Sequence, residues 1–326
     1  MEPLIRISEL SAAEFETAAI DLFRFQAKNN RVYSEFLHHL GREVSSVRTV
    51  TDIPFLPVSL FRNHRVVTGD WEPQAHFTSS GTTGSATANH YVKDTALYRE
   101  SFMKGFTHFY GDISEYTLLA LLPSYLERDG SSLVYMANAL INESGSELSG
   151  FYLNNYDDLI AVLPRVRESG RKGMLLGVTY ALLNLAERYS PDLSDFIVME
   201  TGGMKGMRRE LVREELYGIL NNSFGTDRIH SEYGMTELLS QAYSKGEGRF
   251  LTPPWMKVLA GDINDPLALS AAPGSSGTVS IIDLANVWSC AFIATSDLCR
   301  LHSDGSFEIT GRYDNSDIRG CNLLSV

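Results

Sequence analysis

Three stretches of the chain carry side chains whose types and spacing suit nucleotide chemistry. The first is Thr78-Ser79-Ser80-Gly81-Thr82-Thr83-Gly84, rich in hydroxyls and broken by two glycines. Backbone N–H groups in such a loop can turn toward one point while the hydroxyls add donors, which is how a chain surrounds phosphate oxygens. No Gly-Lys-Ser/Thr follows Gly84 and no Gly-x-Ser-x-Gly occurs, so it is neither a Walker A loop nor a nucleophile elbow. Its composition suits a flexible Ser/Thr/Gly linker equally. The second stretch is Tyr233-Gly234-Met235-Thr236-Glu237. It offers a ring to stack on a purine, a tight turn, a hydroxyl for a phosphate and a carboxylate for Mg2+. A plain helix N-terminus, with Thr236 or Glu237 in its first turn, has the same look. The third is split between Ser296-Asp297-Leu298, at an expected strand end, and Gly311-Arg312-Tyr313-Asp314, after a strand–turn–strand pair. A carboxylate and a guanidinium placed there suit ribose hydroxyls, although either alone reads as a surface charge.

These stretches need elements to hold them. Residues 11–40 carry Phe15, Ala18, Ala19, Leu22, Phe23 and Phe25 at three-to-four spacing, which predicts one helix opened by a Ser11/Glu14 capping box. The prolines of Ile53-Pro54-Phe55-Leu56-Pro57-Val58 exclude a helix interior. Further on, strands over 116–122, 173–178 and 196–199 each precede a helical stretch, over 131–141, 180–189 and 208–220. A brief strand at 228–230 leads into Tyr233. This alternation predicts a βαβ body with a largely parallel sheet. After about residue 252, prolines and a Gly-Ser-Ser-Gly turn cut the chain into short strands over 278–283, 289–295 and 306–310, with a hairpin turn at 303–305. The expected organisation is a helical lead and entry segment (1–75), an α/β nucleotide-binding core (76–250) and a β-rich distal lobe (251–326).

Composition narrows the class. The 326 residues are 44% hydrophobic and 21% charged, as in a globular protein with ample core. Forty acidic against 28 basic residues give a net charge of −12, which argues against a nucleic-acid partner. Three widely spaced cysteines make no disulfide framework. The start Met1-Glu2-Pro3-Leu4-Ile5-Arg6 lacks the layout of a secretory signal, and apolar runs such as 117–123 are far too short to span a bilayer. A cytoplasmic location is expected.

In order along the chain, the Thr78–Gly84 loop, Thr201-Gly202-Gly203, the Tyr233–Glu237 element, Asp297 and Arg312 resemble the signatures of the adenylate-forming superfamily of acyl-CoA synthetases, adenylation domains and luciferases. The likeness runs from about residue 50 to the C-terminus. Ile53-Pro54-Phe55-Leu56-Pro57-Val58-Ser59-Leu60-Phe61 and Ile318-Arg319-Gly320-Cys321 look like the acyl-protein synthetases (long-chain-fatty-acid–luciferin-component ligases), with phenylacetate–CoA ligases next. The fold this resemblance implies is α/β, the large N-terminal body of an adenylate-forming enzyme, with a mostly parallel sheet and a smaller β-rich lobe. The superfamily's mobile C-terminal domain, which carries a catalytic lysine, is expected to be absent.

The resemblance implies an ATP- and Mg2+-dependent ligase. A carboxylic acid, fatty acyl by branch, attacks the α-phosphate to give acyl-AMP and pyrophosphate. A thiol then takes the acyl group: coenzyme A, a carrier-protein pantetheine or a cysteine of the protein or of a partner enzyme. By likeness, Ser79, Ser80, Gly81, Thr82, Thr83 and Gly84 enclose the β- and γ-phosphates. Gly202 and Gly203 let the chain pass the adenine, Tyr233 stacks on it, and Asp297 and Arg312 take the ribose. Thr236 bonds the α-phosphate and Glu237 binds Mg2+. Two departures stand out. The Pro-Lys that usually follows the loop is replaced by Ser85-Ala86-Thr87, leaving Lys93 as the nearest cation downstream. With no lysine domain, Lys205 or Arg319 is the substitute cation, and Cys321, beside Arg319, becomes a candidate acyl acceptor. A non-catalytic nucleotide- or acyl-binding partner in a multienzyme complex is the alternative. An acyltransferase using preformed thioesters would leave Tyr233, Asp297 and Arg312 without purpose. Cys290 and Cys299 read as buried packing residues, with His302 a poor third zinc ligand. His76 and His230 flank the motifs as site or structural histidines. Tyr125, Phe151, Tyr152, Met204 and Leu238 are the acyl-pocket candidates.

Overall fold

The computed structural model describes residues 7, 10–11, 13–79, 87–123, 130–202 and 211–313. Helices Phe15–Asn29 and Arg31–His39 lead the chain. The single helix expected over 11–40 is thus two. The break is Asn30, whose backbone is extended while its side chain accepts from the Tyr33 N–H at 3.0 Å and donates to the Ser289 carbonyl at 2.9 Å. The Ser11–Glu14 pair forms, with Glu14 accepting from the Ser11 N–H at 3.1 Å, but it sits a turn ahead of the helix and caps none of its N–H groups.

Fifteen strands follow among the described residues: β1 (Leu56–Pro57), β2 (Ala75–Thr78), β3 (Asn89–Val92), β4 (Tyr116–Leu121), β5 (Gly150–Tyr152), β6 (Lys172–Val178), β7 (Phe196–Thr201), β8 (His230–Tyr233) and β9 (Ala242–Ser244), then β10 (Arg249–Leu251), β11 (Met256–Gly261), β12 (Leu269–Ser270), β13 (Ser276–Asp283), β14 (Phe292–Leu301) and β15 (Phe307–Arg312). β2 and β3 pair antiparallel on either side, in sequence, of the hydroxyl-rich stretch, most of which lies outside the described residues. The remaining strands make one sheet in the order β12-β11-β13-β14-β15-β10-β9-β8-β7-β6-β4-β5, with β1 added parallel to β14.

The run β5-β4-β6-β7-β8 is parallel. β4 is buried at every position and β6 at all but its first, as strands covered on both faces must be. Helices Thr95–Tyr110, Ser132–Ser144, Tyr156–Glu168, Thr179–Arg188 and Arg213–Phe224 alternate with these strands. Their ends are set locally. Asp94 accepts from Ala96 N–H at 2.9 Å, Ser131 from Val134 N–H at 3.2 Å, and Gly145 and Gly225 leave their helices at φ 60° and 65°. From β8 to β9 the pairing turns antiparallel and stays so through the distal strands. The parallel body and the β-rich lobe are therefore both present, joined in one hydrogen-bonded sheet.

Two strands differ from their expected limits. β8 covers 230–233 rather than 228–230, so Tyr233 ends a strand. β14 begins at Phe292 and runs to Leu301, which puts Asp297 inside a strand rather than at its end. The cause is pairing: Asp297 lies opposite Arg312 on β15, and the ladder continues past it to Leu301. The lead helices dock on the lobe through buried Gln26, whose amide donates to the carbonyls of Asn286 and Val287 and accepts from Ala291 N–H, each at 2.9 Å.

Candidate functional site

β8 is the last parallel strand, and its carboxyl end is where the parallel and antiparallel halves meet. Crevices at such ends are the usual ligand sites of open α/β sheets. Tyr233 ends β8. Its half-buried ring makes edge-to-face contacts with Phe250 at 5.9 Å and Phe307 at 5.8 Å. Its hydroxyl donates to Asp297 Oδ2 at 2.8 Å, and burial together with the Asp297 charge holds the phenol far above its ordinary range. The other Asp297 oxygen lies 3.8 Å from Arg312 Nε across the β14–β15 ladder. Three residues singled out from sequence, separated by 64 and 15 positions, thus form one Tyr–Asp–Arg row, with Arg312 exposed at its outer end.

The Tyr233–Glu237 element is not a helix N-terminus. It continues β8 into a turn that tertiary hydrogen bonds hold from behind. The Thr236 carbonyl oxygen lies 2.7 Å from His90 Nδ1, and the Glu237 carbonyl accepts from Asn286 Nδ2 at 2.7 Å. Just beyond, the buried Asp283 carboxylate accepts from Leu239 N–H at 2.8 Å, Ser240 N–H at 3.0 Å, the Ser240 hydroxyl at 2.6 Å and Ala285 N–H at 3.1 Å. Burial still raises its carboxyl above the usual range, against the pull of these four donors. Glu237 itself is buried. Gly234 packs closely here: a Cβ would displace the flexible end of the Glu232 side chain and touch Gln241 Cγ at 3.4 Å.

The other expected residues fall as follows. Ser79 pairs with Ala88 next to the β2–β3 ladder: its hydroxyl accepts from Ala88 N–H at 2.9 Å and its own N–H donates to the Ala88 carbonyl at 3.0 Å. Gly202 follows β7 at φ 72°, with its carbonyl accepting from the Thr179 hydroxyl at 3.0 Å. Ser80, Gly81, Thr82, Thr83, Gly84, Gly203, Lys205, Arg319 and Cys321, with the pocket candidates Tyr125 and Met204, lie outside the described residues. Lys93 Nζ sits 3.2 Å above the Trp288 ring, in an open cleft lined also by Arg24, Lys28 and Trp71. His76 stacks on Tyr91 at 4.5 Å and bonds Asn89 at 2.9 Å. His230 meets the Tyr110 hydroxyl at 3.1 Å, and burial pushes it down to about 4, so it is a neutral packing residue at pH 7. Cys290 and Cys299 are fully buried with thiols pushed up to about 12, which makes them inert. Among the described residues no cluster of three His, Cys, Asp or Glu could hold a metal, and no helix is long and apolar enough to cross a membrane.

Sequence reasoning missed two buried acids next to the motifs. Glu200 and Glu232 lie on the adjacent strands β7 and β8, where Glu200 pairs with Ser231 and Thr201 with Glu232. The Thr179 hydroxyl donates to Glu200 and the Thr201 hydroxyl to Glu232. Burial, and then the neighbouring Glu200, pushes the Glu232 carboxyl up to about 7. Burial also raises Glu200. The available signal was a carboxylate directly ahead of each motif, in the case of Glu200 within an otherwise mostly apolar strand.

No family model matches the sequence, and no curated protein does. Solved structures do. An open conformation of 2-hydroxyisobutyryl-CoA ligase, in complex with 2-HIB-AMP and CoA, matches at TM-score 0.69 and 11% identity over 96% of this chain and 77% of its own. A long-chain-fatty-acid–CoA ligase from Archaeoglobus fulgidus matches at 0.52 and 15%, over 73% and 51%. O-succinylbenzoate coenzyme A synthetase from Bacillus subtilis, in complex with AMP, matches at 0.51 and 17%, over 74% and 49%. The chain thus spans about half the length of the latter two. It has the fold of the adenylate-forming CoA ligases.

Proposed function

We propose that the chain activates a carboxylic acid as its acyl-adenylate, releasing pyrophosphate, and passes the acyl group to a thiol with release of AMP. The observation that carries this reading is the Tyr233–Asp297–Arg312 row at the carboxyl end of β8, in a chain with the fold of CoA ligases. An aromatic ring beside a carboxylate suits an adenosine: the ring gives a face to the base and Asp297 an acceptor to ribose hydroxyls. In this reading Thr236, three residues on, supplies a hydroxyl to the α-phosphate. The attacking carboxylate is already ionised at pH 7, so the chemistry needs positioning and charge stabilisation rather than a protein base.

Magnesium fits as a metal held by Glu237 together with nucleotide phosphates. Glu237 is a buried oxygen donor whose backbone is anchored by Asn286, and Mg2+ commonly takes one or two carboxylates plus substrate phosphates. When bound, the ion neutralises phosphate charge. The resemblance of 53–61 and 318–321 to the acyl-protein synthetases favours a fatty acid as substrate. A pantetheine or cysteine thiol, Cys321 included, is then the acceptor.

The experiment is calorimetric binding of a non-hydrolysable acyl-adenylate analogue, 5′-O-(N-acylsulfamoyl)adenosine, to the wild type and to Asp297→Ala. A lost hydrogen bond to a charged group costs about 1.5–3 kcal/mol, so affinity is expected to fall roughly 10- to 100-fold. Because Asp297 is partly exposed, the melting temperature should move little. Equal affinity in both proteins would remove Asp297 from the nucleotide site.

A further inference from the structure

His90 stands between the Thr236 backbone carbonyl and the Asn286 side-chain amide. Its Nδ1 is 2.7 Å from the Thr236 carbonyl oxygen, and its Nε2 is 3.2 Å from the Asn286 side-chain amide. The far end of that amide is 2.7 Å from the Glu237 carbonyl oxygen. The row therefore reads carbonyl, imidazole, amide, carbonyl: three contacts in series, closed at both ends by groups that only accept. Each contact needs one proton. A neutral imidazole brings one N–H to the row. A primary amide turns its NH2 to one neighbour and its oxygen to the other, so it brings one more, whichever way it faces. That makes two protons for three contacts. In one orientation the amide oxygen meets a bare Nε2; in the other it meets the Glu237 carbonyl. An imidazolium supplies the third proton.

We propose that His90 takes up a proton from solvent when an anionic nucleotide fills the site, and that the completed row then holds the Thr236 and Glu237 carbonyls as one unit. His90 is in this account a positioning residue. It touches no reacting atom and acts through the Thr236 backbone and, by way of Asn286, the Glu237 backbone. The inference rests on the adenylation reading.

The surroundings set the direction. His90 is 1% exposed, and burial pushes its imidazolium down to about 4, so the empty site keeps it neutral at pH 7. Phe61 packs edge-to-face on it at 6.0 Å and Phe77 lies opposite it on β2. His76, the next residue of β2, disfavours the charged form when it is itself protonated. Glu237 follows Thr236 directly, and the Asp283 carboxyl is anchored three residues before Asn286. A Mg2+ ion on Glu237 would offset part of the charge of a phosphate chain beside Thr236, but Mg–ATP remains a net anion, and an opposite charge favours the imidazolium.

The test is calorimetry of the full chain with Mg–ATP at pH 6.5 in buffers of different ionisation enthalpy, which counts protons taken up per nucleotide bound. The wild type should take up about half a proton or more beyond His90→Gln, a residue of similar reach that cannot titrate. Equal counts overturn the inference. Should His90→Gln fail to fold, 15N spectra of the histidine-labelled wild type give a second readout. One of the eight histidines must change from a single to a double N–H on adding Mg–ATP, and no change in any of them overturns the inference. Absence of binding heat is a different failure, which removes the adenylation reading and this inference with it.

Discussion

Asp283 and Glu232 are both buried carboxylates near the Tyr233–Glu237 element, yet they are built into opposite situations. Asp283 accepts four hydrogen bonds, three of them from backbone N–H groups, and so fastens residues 239–240 to the end of β13. Glu232 takes the Thr201 hydroxyl on one face of the sheet, while a second acid, Glu200, projects from the opposite face of the next strand and adds only a smaller push against its charge. The first is an anchor whose donors were assembled around it. The second has one hydroxyl donor and is otherwise desolvated, which is why its carboxyl rises to about 7. The difference teaches that burial alone does not tell an anchor from a group poised to titrate; the donor count does.

The largest effect that would break this comparison is Asp283→Ala. It leaves three buried N–H groups without their acceptor, and removing one side of such a network costs about 3–5 kcal/mol. A clear fall in the denaturant midpoint is expected at every pH from 6 to 8. A change under about 1 kcal/mol would mean that Asp283 anchors nothing.

Glu232→Gln sharpens the other side. The folded-state carboxyl near 7 lies above its ordinary 4.5, so between those values the folded protein holds a proton that the unfolded chain has released. Stability from this group is therefore lost as pH rises from about 4.5 through 7. Gln keeps an oxygen for the Thr201 hydroxyl and removes the charge. The gap between wild type and variant should be under about 1 kcal/mol at pH 5 and widen to about 3 kcal/mol in the variant's favour at pH 8. A gap of the same size at both pH values would contradict the assignment.

Arg312→Ala should do least. The pair is 3.8 Å apart with the arginine side chain about half exposed, and such pairs are worth roughly 0–1 kcal/mol. Affinity for the acyl-adenylate analogue should change less than about fivefold, and stability hardly at all.

The same contrast explains what could be read from the sequence. Tyr233, Thr236 and Glu237 could be singled out because five consecutive residues hold them, and Asp297 and Arg312 because each sits in a short recognisable string; the structure brings Tyr233, Asp297 and Arg312 together. The groups that hold them could not be singled out. His90, Asn286 and Asp283 reach the element across 146, 49 and 44 residues, and nothing local marks a histidine on a four-residue strand as a partner for a distant carbonyl. The alternation of strands and helices was legible for β4, β6 and β7, since buried parallel strands are continuous apolar runs. β9 and β10 are three-residue strands whose existence depends on pairing with β8 and β15, which no periodicity reveals. The helix at Tyr156–Glu168 was hidden by Pro164 inside it.

The central claim is that this site makes acyl-adenylates, and carboxylate-dependent ATP–pyrophosphate exchange tests it most directly. A panel of fatty acids of graded length and of aryl acids should give exchange with one class, and exchange should collapse by about a hundredfold in Glu237→Gln, the scale at which one charge-stabilising contact is lost from a transition state. Exchange with no acid, in a protein that binds Mg–ATP, would contradict the account and leave a nucleotide-binding partner in its place.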